Sequence, residues 1–395
     1  MGPRGRYDLV RQLRYPASRP PAGSESASPK AHGTARPGAG IAGTERLVMV
    51  RPGSGNSSVT LKTIANELGV SVTTVARALK DGHKIGPETV RKVRETADRL
   101  GYVRNLEGAK LRTGKTLIAM AFLDFAEEEE IGDSGAVGIL NGFHKCLAGT
   151  DYAVRAVPAS RDGSAVERIR EVVRGRLADG VIFDLTELQD TRARYLLEAD
   201  FPFVTYGRTE LFSEHAWFDI DNEFAAWQST DALLRDGCRR IALIDGDPRY
   251  TFVRQRLRGY ERALREHGIE PDTALRHHST LAANIARTAV GPLLDRGADG
   301  FVCSNELTFL GARAGVRDRI GDDVRQIGFA LRSGTSIGKY VATKVHASHY
   351  SHVSTGRALA ELLLKRIGGA DPRDCQHLAR TTLVTTGNGN EAIIP

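Results

Sequence analysis

The sequence contains few cysteines, and none of them are close together. Cys146, Cys238, Cys303 and Cys375 are widely spaced and form no CxxC pair. Structural zinc sites and disulfide frameworks both depend on closely or regularly spaced cysteines. The spacing therefore argues against both, and a reducing cytoplasm is the expected compartment.

Long apolar runs are also missing. No stretch approaches the roughly eighteen uninterrupted apolar residues that a membrane-spanning helix requires. The first residues contain no apolar segment of the kind that a secretory signal needs. We therefore expect no membrane span and no export.

Signatures of catalysis and of metal binding are absent as well. No Ser-His-Asp, Cys-His or paired-carboxylate set has a recognisable context, and no glycine-rich cofactor turn follows a predicted strand. His346, His349 and His352 are three residues apart, but they lack flanking Cys or carboxylates, and we expect this stretch to be a loop. The sequence predicts no enzyme, no metal site and no cofactor.

What the chain does have is a marked asymmetry of charge. Its 395 residues allow two or three compact units, and its net charge is +7. Residues 1–58 carry nine Lys/Arg against three Asp/Glu and residues 59–115 carry twelve against six, which leaves −5 for residues 116–395. Basic charge confined to the first third is expected if that part meets a polyanion, although a solvated basic tail would give the same sum.

The first 57 residues differ in composition from the rest. They are rich in Pro, Gly, Ser, Ala and Arg, which predicts a disordered extension. Met49 lies just before the first segment with a regular pattern. This position favours a start codon assigned too early over a transit peptide.

Three short helices are predicted after this extension. The first carries apolar residues at helical spacing from Leu61 to Leu68, and Thr60 caps it. Ser71 caps the second helix, and the third begins at Pro87 and runs to residue 100, before Gly101. A glycine turn between the first two helices is typical of a helix-turn-helix unit.

Beyond Lys115, short apolar runs alternate with amphipathic stretches. The predicted strands are 117–122, 152–157, 180–185, 201–206, 240–245, 300–305, 325–330, 340–345 and, as the last, 381–386. Short buried strands separated by helices predict an α/β fold with parallel, doubly wound sheets. Two consecutive series predict two similar lobes, with a ligand bound between them at the carboxyl ends of the strands.

Residues 59–105, VTLKTIANELGVSVTTVARALKDGHKIGPETVRKVRETADRLGYVRN, resemble the headpiece of the lactose-repressor (LacI) family, and the resemblance extends to residue 395. It implies an all-α helix-turn-helix domain at 58–104, a hinge helix or linker at 105–115, and a periplasmic-binding-protein-like core of two lobes at 116–395. In this family a homodimer reads double-stranded DNA at a palindromic operator. The implied function is a regulator, by default a repressor, that responds to a small sugar-like effector.

The second helix is the expected DNA-reading element. Val72 and Thr73 are its first exposed positions, from which side chains can reach base edges. Ser71 and Thr74 lie at the helix N-terminus, which suits a phosphate oxygen. Arg77, one turn beyond Thr73, could bind a guanine or a phosphate. An ordinary solvated helix face is the alternative.

The linker supplies one further DNA-binding candidate. The resemblance places Leu111 where the family has a leucine that enters the minor groove and unstacks a central base step. Gly108 stands where the family usually has Ala. Glycine destabilises a helix by roughly 0.5–1 kcal/mol relative to alanine. Packing between domains is the alternative role for Leu111.

The resemblance also carries four effector-binding candidates. Arg256 falls on the family's effector-binding arginine, whose planar fork can clamp vicinal hydroxyls or a carboxylate. Asn305 matches a polar effector ligand, Arg208 follows a predicted strand, and Asp124 begins an acidic loop that continues through 127–130. A structural salt bridge is the alternative for both arginines, and a solvated loop is the alternative for the acidic run.

Two positions depart from the family pattern. The predicted strand 325–330 ends at Ala330, after which the family usually has Asp, and Gly207 stands where many relatives have Asp. Fewer acidic groups leave an acidic or phosphorylated effector open. The alternative function for the whole chain, a solute-binding sensor without DNA binding, leaves the headpiece unexplained.

Overall fold

A computed structural model describes residues 59–80, 82, 84–103, 108, 110, 113–125, 134–159, 164–321, 326–341, 343–387 and 390–394. These residues form two compact units, divided between Tyr102 and Val103. The predictions for residues 1–57, for Leu111 and for the acidic run at 127–130 lie outside the described residues. Among the described helices, none has the length and apolar character needed to cross a membrane.

The first unit contains the three predicted helices. They are α1 Leu61–Leu68, α2 Val72–Lys80 and α3 Pro87–Leu100. Thr60 caps α1 by accepting a hydrogen bond from the Thr63 N–H, and Ser71 Oγ accepts one from the Thr74 N–H at 3.0 Å. Gly69 ends α1 with a φ of 62°, which glycine adopts without strain. The sequence-based prediction of these helices is confirmed.

A small apolar core fixes the arrangement of these helices. Ile64, Val75 and Val93, one from each helix, are fully buried. In α2 the buried residues Val75 and Ala78 are three apart, so they share one face of the helix. The opposite face of α2 is therefore left to solvent.

The second unit is built from strands and helices in alternation. Its strands are β1 Ile118–Leu123, β2 Ala153–Pro158, β3 Gly180–Phe183, β4 Phe203–Tyr206, β5 Trp217–Ile220, β6 Ile241–Asp245, β7 Arg276–His278, β8 Gly300–Cys303, β9 Gly328–Ser333, β10 Val345–His349, β11 Gln376–Ala379, β12 Thr382–Gly387 and β13 Asn390–Ile394. Its helices are α4 Ser134–Leu147, α5 Ala165–Arg174, α6 Thr191–Glu198, α7 Asn222–Arg235, α8 Thr251–Glu266, α9 Ala283–Asp295, α10 Glu306–Ile320 and α11 His352–Ile367.

The strands form two sheets, one in each lobe. The first sheet is parallel and has the order β11-β5-β4-β3-β1-β2. The second has the order β13-β12-β10-β9-β8-β6-β7, in which only the pairs β10–β12 and β12–β13 are antiparallel. Apolar clusters cover both faces of each sheet, as parallel sheets require. The predicted two-lobed, doubly wound α/β core is confirmed.

The two lobes are not consecutive in the chain, contrary to the sequence-based prediction. Helix α11 packs against α4 and the first sheet, and β11 joins that sheet, although both follow the strands of the second lobe. The chain then returns to the second sheet through β12. It therefore crosses between the lobes after β5, after β10 and after β11, and polar residues at the first two crossings line the space between the lobes.

Four local predictions around the C-terminal half were wrong. Residues 337–340 form a short 3₁₀ helix, and the strand predicted at 340–345 begins only at Val345. His346 and His349 lie on β10 and His352 begins α11, so HASHYSH is not a loop. The prediction failed because this strand, which pairs with β9 and β12, contains polar residues that are not typical of a buried strand. The strand predicted to end at Ala330 continues to residue 333, and β13 follows the strand predicted as the last.

Candidate functional site

The candidate DNA-binding residues share the solvent-facing side of the headpiece. Ser71, Thr73 and Arg77 are exposed, Val72 is 44% exposed, and Thr74 is half-buried. An apolar side chain this exposed on a small domain has no packing role there. The face can offer apolar contact, hydroxyl groups and a guanidinium to a partner.

Ser71 and Thr74 also hold the start of α2 in place. Besides capping the helix, Ser71 Oγ lies 2.8 Å from Thr74 Oγ1, so the two hydroxyls bond to each other. The N-terminal end of a helix carries a partial positive charge that attracts anions. The two hydroxyls therefore stabilise the first turn at this end of α2.

In the second unit, a pocket lies between the carboxyl ends of the strands of the two lobes. We call this space, with a volume of about 190 Å³, the inner pocket. A second cavity of about 410 Å³, the outer pocket, shares Asp124, Leu185, Phe252 and Leu281 with it. The inner pocket is lined by Asp124, Gly135, Ala136, Ile139, Asp184, Leu185, Tyr206, Gly207, Asp219, Asn222, Phe252, Arg256, Leu281, Ser304, Asn305, Glu306, Arg332 and His352.

Arg256 lines this pocket and is held by a carboxylate at the same time. Its Nε lies 2.8 Å from Asp245 Oδ2, and its Nη2 pairs with Oδ1 of the same residue. Both side chains are buried, and the guanidinium lies 4.8 Å from the centre of the Phe252 ring. Arg256 therefore has a structural contact with Asp245 and at the same time lines the pocket.

Asn305 lines the pocket from the N-terminus of α10. Its Oδ1 accepts hydrogen bonds from the Thr308 N–H and hydroxyl, both at 2.9 Å, and its own N–H donates to Thr308 Oγ1. This capping box uses the side-chain oxygen. Only the amide nitrogen is left to contact a ligand.

Arg208 is the candidate that the structure does not bring into the inner pocket. Its Nε lies 2.8 Å from Asp219 Oδ2, and its guanidinium lies beside the Trp217 ring. Asp219 itself is buried and lines the pocket. Burial raises the pKa of Asp219, although the charge of Arg208 partly offsets this effect. The contact of Arg208 is thus the salt bridge considered as its alternative.

Asp124 lines both pockets and lies beside a second carboxyl group. The Asp124 N–H donates to Asp184 Oδ2 at 2.8 Å, while Asp184 Oδ1 is buried without a partner. Burial, followed by the negative charge of Asp124, raises the pKa of Asp184 to about 7. Near neutral pH this carboxyl group can therefore accept or donate a hydrogen bond.

Glu306, Arg332 and His352 form a group of ionisable side chains in the pocket that the sequence analysis did not identify. Glu306 Oε1 lies 3.6 Å from His352 Nε2 and accepts hydrogen bonds from the Gly334 and Thr335 N–H groups. Burial favours a higher pKa for Glu306, but His352 and Arg332 outweigh it and hold that pKa well below its usual range. An added Cβ at Gly334 would lie 2.1 Å from the His352 ring, so the glycine is needed for this packing.

Buried polar atoms without a hydrogen-bond partner concentrate in the inner pocket. Four of its lining residues have such atoms, namely Asp184, Ser304, Arg332 and His352. Elsewhere in the described residues such atoms occur only on Tyr152, Arg276 and Thr386. Leaving a buried polar group unpaired is costly, so a cluster of them indicates a site for a polar ligand. No group of three or more described His, Cys, Asp or Glu side chains is arranged to hold a metal.

Most of these residues share one signal in the sequence. Asp184 directly follows β3, Ser304 directly follows β8, and Arg332 is the last residue but one of β9. Polar residues at the carboxyl ends of buried parallel strands are therefore the signal that would have found them.

Comparisons with known proteins agree with this architecture. Residues 60–105 match the family model of bacterial regulatory proteins of the lacI family, and residues 230–387 match that of the periplasmic binding protein-like domain. The transcriptional regulator AglR of Rhizobium meliloti is 30% identical over 275 residues, which are 68% of this chain and 77% of AglR. The chain belongs to the LacI family.

Two solved structures of transcriptional regulators share this fold. The complex of the regulator CelR with cellobiose is 25% identical, covers 82% of this chain and 98% of its own, and has a TM-score of 0.58. The lac repressor dimer bound to operator is 18% identical, with a TM-score of 0.61 over 83% of this chain and 98% of its own, and shares the fold.

This LacI-family protein is therefore a DNA-binding transcriptional regulator that acts in the cytoplasm, and its relatives are regulators, not enzymes. The alternative of a solute sensor without DNA binding receives no support from these comparisons.

Proposed function

We propose that this regulator binds a palindromic operator as a homodimer and that a sugar or sugar derivative, bound in the inner pocket, controls its affinity for DNA. One observation carries the proposal. Most of the buried polar atoms without partners among the described residues lie in a single pocket between two lobes, and the atoms include both donors and acceptors. A sugar supplies many hydroxyl groups, each of which can donate and accept.

Family membership supports the class of effector. CelR, a member with the same fold, binds cellobiose in its solved complex. The pocket candidates Arg256, Asn305 and Asp124 offer a guanidinium, an amide and a carboxylate to hydroxyl groups. Arg208 instead forms the salt bridge that holds Asp219 in place, and we assign it no contact with the effector.

The DNA-binding role is assigned to Ser71, Val72, Thr73, Thr74 and Arg77 on α2, together with Leu111 in the linker. In this proposal Val72 and Thr73 contact base edges and Arg77 contacts a guanine or a phosphate. Leu111 inserts into the minor groove and unstacks a base step. The exposed apolar side chain of Val72 supports the assignment, because burial on DNA removes it from water.

The coupling between the two sites is assigned to movement of the lobes. Effector binding closes the pocket, because residues from both lobes contact the same molecule. Closure shifts the first lobes of the dimer and reorients or unfolds the linker at 105–115. Coupling free energies of this kind are typically about 1–3 kcal/mol.

Fluorescence anisotropy with a labelled palindromic duplex from the gene's own upstream region tests the DNA-binding part. The full chain should bind this duplex at least tenfold more tightly than a scrambled duplex. Substituting both Val72→Ala and Thr73→Ala should remove that preference, because phosphate contacts alone carry no sequence information. The matched control, Arg94→Ala on the exposed side of α3, should keep the preference. A preference that survives the double substitution would refute the assigned surface.

Thermal-shift measurements over a panel of sugars, sugar acids and sugar phosphates test the effector part. At least one member should raise the melting temperature, and Arg256→Lys should weaken that shift, because lysine cannot reproduce the planar guanidinium fork. A shift that is unchanged in this variant would show that Arg256 has only the structural role of holding Asp245.

A further inference from the structure

A buried arginine that forms no ion pair with another described residue lines the inner pocket. Arg332 is 9% exposed, and its Nη2 atom is buried with no hydrogen-bond partner in the described part of the chain. Arg256 and Arg208, in contrast, are each paired with a buried aspartate, Asp245 and Asp219. An unpaired buried charge destabilises a protein, whereas a paired one does not carry the full penalty. Arg332 is therefore the guanidinium of this site that most needs a partner.

The nearby acidic side chain, Glu306, is already engaged. Its Oε1 accepts hydrogen bonds from the N–H groups of Gly334 and Thr335, at 2.8 and 3.1 Å, and from the hydroxyls of Ser333 and Thr335, both at 3.0 Å. Arg332 influences its ionisation but forms no hydrogen bond with it. The carboxylate of Glu306 thus stabilises the turn after β9 and leaves the Arg332 Nη2 atom without a partner.

Further polar groups and helix N-termini face the same pocket. Ser304 Oγ and both ring nitrogens of His352 are buried there without a hydrogen-bond partner among the described residues, although His352 Nε2 lies 3.6 Å from Glu306 Oε1. The N-terminal ends of α10 and α11 border the pocket through Glu306 and His352. Each of these helices has at least fifteen residues, and helix N-termini favour negative charge.

We propose that the effector of this regulator carries an anionic oxygen group, either a carboxylate or a phosphate, and that Arg332 binds this group. The inference rests on the proposed sugar-binding function and narrows it to a sugar acid or a sugar phosphate. A neutral sugar satisfies hydrogen bonds but brings no counter-charge.

The acidic side chains of the pocket have a separate task in this arrangement. Asp124 and Asp184 follow β1 and β3 of the first lobe, whereas Arg332 lies on β9 of the second lobe. Carboxylates accept hydrogen bonds from ring hydroxyls. The ligand thus presents hydroxyl groups to the aspartates and its anionic group to Arg332, and it contacts both lobes.

Isothermal titration with matched probes tests the proposal. The probes are glucose, glucuronate and glucose 6-phosphate, and the corresponding galactose compounds. In each set that binds, a charged member should bind at least tenfold more tightly than its neutral parent. Arg332→Gln should weaken binding of that charged member by about 10- to 100-fold and that of the neutral parent by less than threefold. The uronate and the phosphate distinguish the two sources of charge.

The control variant is Arg254→Gln, an exposed arginine on α8, which should leave all affinities unchanged. Equal affinity for the neutral and charged members in the wild-type protein would overturn the proposal. So would a preference for the charged member that survives Arg332→Gln.

A measurement without ligand decides the role of Arg332 independently of the probes. If the guanidinium awaits a ligand, Arg332→Met should raise the melting temperature of the ligand-free protein, because an unpaired buried charge is removed. A lower melting temperature would show that Arg332 is structural and would overturn the proposal. A binding panel with no response at all would refute the sugar function itself, while this melting temperature would still decide the role of Arg332.

Discussion

The headpiece and the two-lobed unit hold their functional side chains in opposite ways. On α2, Val72, Thr73 and Arg77 are exposed and close in sequence. In the inner pocket, the lining residues, such as Asp184 and Arg332, are buried or half-buried and come from distant parts of the chain. The exposed surface can meet a large rigid partner without rearrangement, whereas the buried groups can only be satisfied by a small molecule that enters. The two regions therefore suit DNA and effector respectively.

The largest loss of stability is expected when the buried ion pair of Arg256 is removed. Arg256→Ala should lower the free energy of unfolding of the two-lobed unit by about 3–5 kcal/mol, because Asp245 is left buried and unpaired. Urea unfolding followed by tryptophan fluorescence measures this unit alone, since Trp217 and Trp227, the two tryptophans of the chain, both lie in it.

The control for this variant is an arginine of the same helix whose ion pair is exposed. Arg258→Ala removes a pair with Glu223 at 3.0 Å and should cost less than about 1 kcal/mol. Similar losses in both variants would mean that the Arg256–Asp245 pair is no more important than a surface pair.

The sequence allowed much of the headpiece to be predicted but less of the pocket. Ser71 and Arg77 could be assigned because capping and helical spacing are local rules, and the helix then fixes which side chains are exposed. Arg332 and His352 could not be assigned, because the prediction ended β9 too early and treated β10 as a loop. Their meeting depends on chain crossings between the lobes, which local patterns do not encode.

The carboxyl group of Asp184 should make the stability of the two-lobed unit depend on pH. Asp184 has a pKa raised to about 7, so its protonated form stabilises the folded state. This stabilisation is complete below the ordinary pKa near 4 and is lost as the pH rises through about 7. Relative to the wild type, Asp184→Asn should therefore become more stable by a few kcal/mol between pH 5 and pH 8.

Urea unfolding at several pH values checks this prediction. The control, Asp318→Asn, removes an exposed carboxylate whose pKa Arg287 lowers, so it is ionised across the whole window. The stability difference of the control should not vary between pH 5 and pH 8. A flat difference for Asp184→Asn as well would show that Asp184 is ionised throughout.

The smallest loss of stability is expected in the headpiece, when the cap of α2 is removed. Ser71→Ala removes the cap of α2 and should destabilise it by about 0.5–2 kcal/mol. Hydrogen exchange of the α2 amides should become several-fold faster, while exchange in the sheets of the two-lobed unit stays the same. Asn66→Ala, at an exposed position within α1, is the control and should not speed exchange. Unchanged exchange in α2 would contradict the capping role.

The most direct test of the account joins the two regions in one titration. Operator affinity of the full chain is measured by anisotropy with and without the panel compound that gives the largest rise in melting temperature. If the two regions are coupled, operator affinity should change by about 5- to 150-fold, with no comparable change for a scrambled duplex. Binding that shows no preference for any duplex, or an operator affinity that the bound compound leaves unchanged, would contradict the account.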